Sequence, residues 1–192
     1  VHHADWSSDW SNQSILKQLD LIDETVSVNA DVANHLAAAG KPAHYIPNAI
    51  NPTRIIPTGR QYQLHEEFGI PPGSKIVLFG HRLSPEKRPL LAVAVAKYLP
   101  DGWVMVIAGD GPERKAVATM ADGCDKIRVV GNSDSLADWL ALSNCFLSLS
   151  LFEGFGLAVG ESLLAGVPTV STPTGIAPGL ATTLPTESSG EQ

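Results

Sequence analysis

Residues 145–161 have the sequence CFLSLSLFEGFGLAVGE, and this stretch indicates the fold most directly. Its apolar start, residues 145–151, predicts a buried strand, and the residues after Gly156 predict a helix. Glu153 therefore lies in the loop at the carboxyl end of a strand, and Glu161 lies in the helix that follows. Ligands of open α/β sheets bind at that edge, which makes both carboxylates candidates for a binding site. The alternative of two solvated surface carboxylates is less favoured, because Glu161 interrupts a nearly apolar helix.

Apolar runs and helical patterns alternate from residue 75 to about residue 170. Strands without polar alternation, each followed by a helix, indicate a parallel sheet that is covered on both faces. We therefore predict an α/β fold with a Rossmann-like, doubly wound parallel sheet. The expected strands cover residues 76–79, 103–108, 127–130, 145–149 and 167–170, and the expected helices cover residues 89–99, 112–121, 134–142 and 157–165.

The remaining sequence is less regular. Residues 1–50 predict helices at 12–22 and 31–39, the second capped by Asp31, with short strands at 25–28 and 44–46. Residues 51–73 are rich in Pro and Gly and predict a linker that contains a short helix at 60–68. Residues 74–192 then form the main domain. Its tail from residue 181 lacks a periodic apolar face and is expected to be loop or frayed end.

Composition limits the classes of partner. The chain has 192 residues and a formal net charge of −7, which argues against a broad nucleic-acid surface and against electrostatic attachment to anionic lipid. The 13 basic residues still allow a local phosphate site. No apolar run is long enough to cross a membrane, so no transmembrane segment is expected. Cys124 and Cys145 lack metal or redox spacing and indicate a reducing compartment. The start at Val1, inside a patterned segment, indicates a piece of a longer polypeptide.

Two glycine-containing loops follow the first two strands of the main domain. In the first, Gly80 would let a ligand approach the backbone, and Arg82 and Lys87 suit a diphosphate. A basic loop that pairs with Glu86 or other nearby acids is the alternative, although the loop position favours anion binding. The second, residues 109–112, is a poor dinucleotide fingerprint because Arg114 occupies the place of the third glycine. It predicts a tight turn with Pro112 at the first helical position, which disfavours an NAD-dependent oxidoreductase.

Further candidates lie at the same predicted edge. The amides of Phe155, Gly156 and Leu157 lie at a helix N-terminus, which favours anions. The carboxylate of Glu161 could accept hydrogen bonds from ribose or sugar hydroxyls, and Glu153 could reach a sugar or a developing cationic centre. The backbone near Val130 could contact a flat heterocycle or could be a simple turn, and local residues leave both possibilities open.

In order along the chain, these motifs resemble the retaining glycosyltransferases of family 4, which have the two-domain GT-B fold. The Glu-x7-Glu spacing of Glu153 and Glu161 is the main match. It is joined by the segment Ile46-Pro47-Asn48-Ala49-Ile50-Asn51, by the loop from Gly80 to Lys87, by residues 108–112 and by the turn at residues 165–168. The resemblance covers residues 46 to about 175. Three departures are an inserted His81, Ala49 in place of glycine, and a loop at residues 174–179 that lacks the usual glutamate.

The resemblance implies that this chain is the C-terminal, donor-binding half of such an enzyme, truncated at its C-terminal end, with residues 1–50 as a remnant of the acceptor domain. Arg82 and Lys87 would hold the donor diphosphate, and Glu161 would hold the ribose. Glu153 and the amides of residues 155–157 would hold the sugar, and the backbone near Val130 would contact the base. The implied catalytic set is Glu153, Arg82, Lys87 and a cleft histidine, which we assign to His2 with His3 as the alternative.

The implied activity is transfer of a sugar from a nucleotide-diphosphate donor to an acceptor with retention of anomeric configuration. No metal and no cofactor beyond the nucleotide sugar is expected. The acceptor could be a glycan, a lipid or a small molecule. A cytoplasmic location is expected, with peripheral attachment to a membrane left open for the full-length parent. The alternatives are a nucleotide-sugar epimerase of the same fold and a non-catalytic nucleotide-binding module.

Overall fold

A computed structural model describes residues 13–132 and 136–184 of the chain. In this part of the chain the helices are α1 (Gln13–Leu19), α2 (Ala30–Ala38), α3 (Gln61–Glu67), α4 (Pro89–Ala96), α5 (Arg114–Ala121), α6 (Leu136–Leu142) and α7 (Leu157–Leu164). The strands are β1 (Val26–Ser27), β2 (His44–Tyr45), β3 (Lys75–Gly80), β4 (Trp103–Ala108), β5 (Ile127–Gly131), β6 (Cys145–Ser148), β7 (Thr169–Ser171) and β8 (Thr182–Thr183).

The central sheet has the strand order β5-β4-β3-β6-β7-β8, and every pair in it is parallel. This confirms the predicted Rossmann-like sheet. The chain moves outward from β3 to β4 and β5, and then returns to place β6 on the other side of β3. The strand order therefore reverses between β3 and β6, and a crevice opens beyond their carboxyl ends. Such a switch point is where open α/β sheets bind ligands.

Apolar side chains from both faces of the sheet build the core. Alternate residues of β3 enter two different clusters: Ile76 and Leu78 pack on one face, and Val77 and Phe79 pack on the other. Because helices cover both faces, no position of the strand needs to be polar. This is the physical reason for the unbroken apolar runs in the sequence.

The N-terminal part contains the parallel pair β1–β2 and the helix α2. The predicted cap of α2 is wrong by two residues. Asn29, with extended φ and ψ angles, is the N-cap, and its side-chain oxygen accepts a hydrogen bond from the amide of Val32 at 3.1 Å. Asp31 lies in the first turn instead, where its charge suits the helix dipole.

Other boundaries also differ from the prediction. Helix α5 begins at Arg114 and not at Pro112. The residues before it contact the loop after β3, where the amide of Glu113 donates to the carbonyl of Leu83. Strand β7 begins after Pro168, which has no amide to donate to the sheet. The tail is not all loop, because Thr182 and Thr183 add an edge strand beside β7. The predicted start of α6 at residue 134 and the tail beyond residue 184 lie outside the described residues.

Residues 46–60, called the connecting segment below, are fixed to the main domain at several points. Asn51 caps a 3-10 helix at Pro52–Ile55 by accepting from the amide of Thr53 at 3.0 Å. The amide and hydroxyl of Thr58 donate to the two carboxylate oxygens of Asp138 in α6, at 2.8 and 2.7 Å. Ile55 packs against the core. The segment therefore runs across α6 and α7, the two helices beside the crevice.

Candidate functional site

A pocket of about 430 Å³ opens at the carboxyl ends of β3 and β4, close to the switch point. Residues from five parts of the chain meet there. The lining residues are Arg54, Gly80, His81, Arg82, Ala108, Gly109, Asp110, Asn132, Leu136, Leu157, Ala158 and Glu161. Gly80, Arg82, Leu157 and Glu161 were predicted donor-site residues, and the structure brings these four together.

Arg82 and the first turn of α7 both line this pocket. Arg82 is exposed, and within the described ranges no carboxylate forms an ion pair with it. Helix α7 begins after Gly156, whose φ of 90° lies in the left-handed region that favours glycine. The first amides of a helix have no intrahelical acceptor, and Leu157 and Ala158 of this first turn line the pocket. An arginine and a helix N-terminus that line one pocket suit a phosphate group.

Lys87 and Glu153 form a separate pair beside this pocket. Their Nζ and Oε1 atoms are 2.7 Å apart, and the side chains are only 18% and 11% exposed. Ser150 also donates to Oε1 of Glu153, at 2.8 Å. The alternative interpretation of this loop was that its basic residues pair with Glu86 or with other nearby acids. Lys87 does pair with an acid, and that acid is Glu153.

Glu153 faces a second, smaller pocket. This pocket has a volume of about 210 Å³ and is bordered by residues of α2, by Phe152 and Glu153, and by residues 173–175. The backbone carbonyl of Glu153 accepts a hydrogen bond from Asn29 Nδ2 at 3.1 Å. Glu153 thus lies between the main domain and the N-terminal part.

Hydrogen bonding favours the ionised form of Glu86, which lies in the loop after β3. The hydroxyl of Ser84 donates to Glu86, and this hydrogen bond is the largest cause that lowers the pKa of Glu86. The charges of Lys87 and Arg82 lower the pKa further, although burial opposes them. Glu86 therefore adds a negative charge at the mouth of this loop without pairing directly with Arg82.

Glu161 is almost fully buried in α7, and it has a partner that the sequence prediction missed. Arg54 of the connecting segment places its Nε atom 2.9 Å from Oε1 of Glu161, with the two side chains 66% and 7% exposed. Arg54 lines the main pocket together with Glu161. A single arginine in a Pro-rich linker gave no sequence signal of this contact, because the contact depends on how the linker docks.

His81 is buried where β3 ends. Its ring lies between Phe79 and Phe146, with ring centroids 5.0 and 5.3 Å away. Burial is the main reason that the pKa of His81 falls from 6.5 to about 4. The Glu153 carboxylate opposes this shift and the Lys87 ammonium reinforces it. His81 is therefore neutral at pH 7, and its Nε2 atom has no hydrogen-bond partner among the described residues.

The loop at residues 109–112 has a structural role that explains its glycines. A Cβ at Gly109 would collide with the carbonyl oxygen of His81, and one at Gly111 would collide with that of Leu83. The amide of Leu83 donates to Asp110 O at 2.9 Å, and the amide of Glu113 donates to Leu83 O at 2.9 Å. The absence of side chains at Gly109 and Gly111 therefore lets this loop pack against the backbone of the loop that carries Arg82. The loop also places the Asp110 carboxylate at the pocket, 3.3 Å from Arg114 Nη1.

The other predicted site residues lie further from the main pocket. Val130 packs against the core, and Asn132, two residues later, lines the pocket in its place. Phe155 is buried, and its carbonyl accepts from the amide of Ile176 at 2.9 Å. The predicted cleft histidine, His2 or His3, lies outside the described residues.

The described residues contain no group of three or more His, Cys, Asp or Glu side chains arranged to hold a metal ion. Among the helices of residues 13–132 and 136–184, none has the length and apolar character needed to cross a membrane.

Comparison with known proteins identifies the family that the chain resembles. The family model described as "Glycosyl transferases group 1" matches residues 61–184. N-acetyl-alpha-D-glucosaminyl L-malate synthase of Bacillus anthracis is 32% identical over 118 residues, which cover 59% of this chain and 31% of that protein. The lipopolysaccharide core biosynthesis mannosyltransferase LpsB of Rhizobium meliloti is 28% identical over 158 residues, covering 73% of this chain and 45% of that one.

A solved structure shows the same fold. Anabaena Alr3699/HepE in complex with UDP-glucose matches with a TM-score of 0.73 and 18% identity, over 86% of this chain and 50% of that chain. The match agrees with the Rossmann-like parallel sheet of a GT-B protein. The chain spans a third to a half of the length of these relatives.

Proposed function

Since this chain belongs to the glycosyl transferases group 1 family, we propose that it supplies the donor site for transfer of a sugar from a nucleotide diphosphate to an acceptor. One observation carries the proposal. Arg82, the residues Leu157 and Ala158 in the first turn of α7, and Glu161 line one pocket at the switch point of the sheet. These groups match an anionic diphosphate and a neighbouring diol.

The diphosphate would bind between Arg82 and the N-terminus of α7. Arg82 offers a planar fork of donors, and the amides of Leu157 and Ala158 add the positive end of a helix. The carboxylate of Glu161 would accept hydrogen bonds from the ribose hydroxyls. The backbone between Val130 and Asn132 would border the base.

The sugar would extend from the diphosphate toward Lys87 and Glu153. Lys87, in the same loop as Arg82, lies with its Nζ atom 2.7 Å from Oε1 of Glu153, which restrains its ammonium group. The Glu153 carboxylate would contact sugar hydroxyls and would stabilise positive charge that develops at the anomeric carbon. The amides of Phe155 and Gly156, in the same loop as Glu153, would also contact the sugar. His2, or His3 as the alternative, would complete the set.

The proposed reaction breaks the bond between the anomeric carbon and the diphosphate oxygen. The acceptor hydroxyl oxygen forms a new bond to that carbon on the same face, the hydroxyl proton is released, and the nucleoside diphosphate leaves. Arg82, Lys87 and the α7 amides would stabilise the negative charge that grows on the departing diphosphate. In this proposal the charge comes from the protein, and no cofactor beyond the nucleotide sugar takes part.

The acceptor stays open among a glycan, a lipid and a small molecule. HepE, in the complex compared above, is bound to UDP-glucose, which supports a nucleotide sugar as the donor class. We place the reaction in the cytoplasm, and the free thiols of Cys124 and Cys145 suit such a reducing compartment.

Isothermal titration of the folded chain with UDP, GDP and ADP tests the donor site. We expect heat of binding with at least one of the three, and a loss of about tenfold or more in affinity for Arg82→Met, because a charge-assisted phosphate contact is removed. Arg60→Met is the matched control. Arg60 does not line the pocket, and its Nη2 atom lies 2.9 Å from Oε2 of Glu67. No heat with any of the three nucleotides would contradict the proposal. Conversion of a free nucleotide sugar without acceptor would favour an epimerase instead.

A further inference from the structure

The connecting segment touches α7 at two consecutive residues of that helix. Ile50 packs so closely on Gly160 that a Cβ at Gly160 would collide with the Cδ1 atom of Ile50. One residue later, Arg54 forms its ion pair with Glu161. Because Gly160 has no side chain, the segment can approach close enough for Arg54 to reach the carboxylate.

The ion pair is made to one carboxylate oxygen. Arg54 Nε lies 2.9 Å from Oε1 of Glu161. A carboxylate has about four lone-pair positions, so an arginine on one oxygen leaves acceptor positions for a ligand. The arginine also restricts rotation of the carboxylate, which directs the remaining positions.

We propose that Arg54 is a positioning residue that orients the Glu161 carboxylate for the 2′- and 3′-hydroxyls of ribose. This inference rests on the proposed donor site, in which Glu161 holds the ribose. Its consequence is that preference for ribonucleotides depends on the connecting segment and not on α7 alone. Arg54 acts through Glu161 and touches no reacting atom.

A merely structural ion pair would have a different effect. Arg54 is 66% exposed but its partner Glu161 is only 7% exposed, so Arg54→Met leaves a buried carboxylate unpaired and should lower the thermal midpoint. A pair with a structural role alone would change stability in this way but would leave the ratio of ribonucleotide to 2′-deoxynucleotide affinity unchanged. A change in the choice between ribose and 2′-deoxyribose then reports on the orientation of Glu161.

The test uses isothermal titration of the 192-residue chain with UDP, GDP and ADP and with the 2′-deoxy form of each. For the wild type we expect the ribonucleotide to bind at least about tenfold more tightly than its 2′-deoxy form, the effect of one hydrogen bond to a charged group. Arg54→Met keeps the apolar stem and should reduce this ratio to about twofold to threefold, with a smaller loss in affinity for the 2′-deoxy form.

Three further variants complete the experiment. Glu161→Gln should also reduce the ratio, and the double variant should reduce it no further than Glu161→Gln alone, because both changes remove one coupled contact. Arg54→Lys should restore part of the ratio, since it keeps the charge. Arg60→Met removes an arginine from a comparable exposed pair and should keep the wild-type ratio.

The outcomes separate this inference from the proposed function. An unchanged ratio in Arg54→Met, or tighter ribonucleotide binding, overturns the role of Arg54 while the donor site stands. Equal binding of ribose and 2′-deoxyribose forms by the wild type overturns the roles of both Glu161 and Arg54 but leaves diphosphate binding intact. Failure of the wild type to bind any nucleotide overturns both proposals.

Discussion

The neutral imidazole of His81 contacts aromatic side chains of the core and lies within electrostatic range of the Lys87–Glu153 ion pair. His81 lies at the end of β3, in contact with Phe79 and Phe146, and it responds electrostatically to Lys87 and Glu153. A protonated ring in this place would be buried next to an ammonium group. The fold therefore keeps His81 unprotonated, and this has a measurable effect on stability.

We predict that His81 makes the chain less stable as the pH falls from 6.5 toward 4. The pKa of His81 is 6.5 in its ordinary state and about 4 in the fold, because of burial. Between these values the unfolded chain binds a proton that the folded chain does not, so the free energy of unfolding decreases as the pH falls. A single group of this kind can contribute up to about 3 kcal/mol over the whole interval.

The measurement is urea unfolding at several pH values for the wild type and His81→Leu. The leucine variant should show a flatter dependence between pH 6.5 and 4, because the titrating group is absent. His65→Gln, in the last turn of α3, is the control and should keep the wild-type slope. Parallel curves for the wild type and His81→Leu would contradict the prediction.

At the scale of the elements, the site is built by loops that support one another. The loop after β4 lies behind the loop after β3, with Gly109 and Gly111 against the carbonyls of His81 and Leu83. In the same way, a Cβ at Gly175, in the loop after β7, would collide with the carbonyl of Phe155 in the loop after β6. In both places a glycine-containing loop packs against a loop that carries a candidate site residue, Arg82 in one case and Glu153 in the other.

Gly109→Ala should destabilise the chain and should also weaken nucleotide binding. The new methyl group would collide with the His81 carbonyl, at a backbone φ of 149°. We expect a loss of about 2–4 kcal/mol in the free energy of unfolding, from overpacking and backbone strain together. The displaced carbonyl lies next to Arg82, so the affinity for UDP, GDP or ADP should fall as well.

Gly123→Ala is the matched control for this change. Gly123 also has a positive φ, 70°, but a Cβ there would have no atom within 4 Å. It should show only the backbone cost, about 1 kcal/mol, with unchanged nucleotide affinity. Equal effects of the two substitutions in chemical denaturation would argue against the close approach of the two loops.

The sequence predicted the strands and helices that follow from local residue patterns. It missed the features that depend on contacts between segments distant in the chain. Unbroken apolar runs such as 103–108 predicted their strands because both faces of the sheet are covered. Pro112 was expected to start a helix by local preference, but contacts with Leu83 delay the start to Arg114. Arg54 gave no signal at all, since its ion pair with Glu161 arises only when the connecting segment packs on α7.

At the scale of the whole molecule, Asn29 joins the N-terminal part to the main domain. Its side-chain oxygen caps α2 by accepting from Val32, while its Nδ2 donates to the carbonyl of Glu153 at 3.1 Å. One amide group thus serves a helix in the N-terminal part and the loop that carries a proposed sugar-binding carboxylate. The two functions can be separated because they use different atoms.

Asn29→Asp should loosen α2 from the main domain without loss of its cap. Aspartate caps helices as well as asparagine does, and its charge suits the helix N-terminus, so the helix itself should gain slightly. The donor to Glu153 is lost, however, and a carboxylate oxygen faces that carbonyl instead. Hydrogen exchange of the α2 amides should therefore become faster, by about fivefold to tenfold for the loss of one hydrogen bond, while β3 and β4 keep their protection.

Asn29→Ala is the comparison that removes both contacts, and it should accelerate exchange in α2 more than Asn29→Asp does. Slower exchange in α2 of Asn29→Asp would contradict the prediction. It would mean that the cap and the helix dipole stabilise α2 more than the hydrogen bond to Glu153 does. Equal acceleration in α2 and β3 would show that the two parts open together. The exchange pattern thus decides whether the Glu153 loop is anchored from the N-terminal side or only by its own domain.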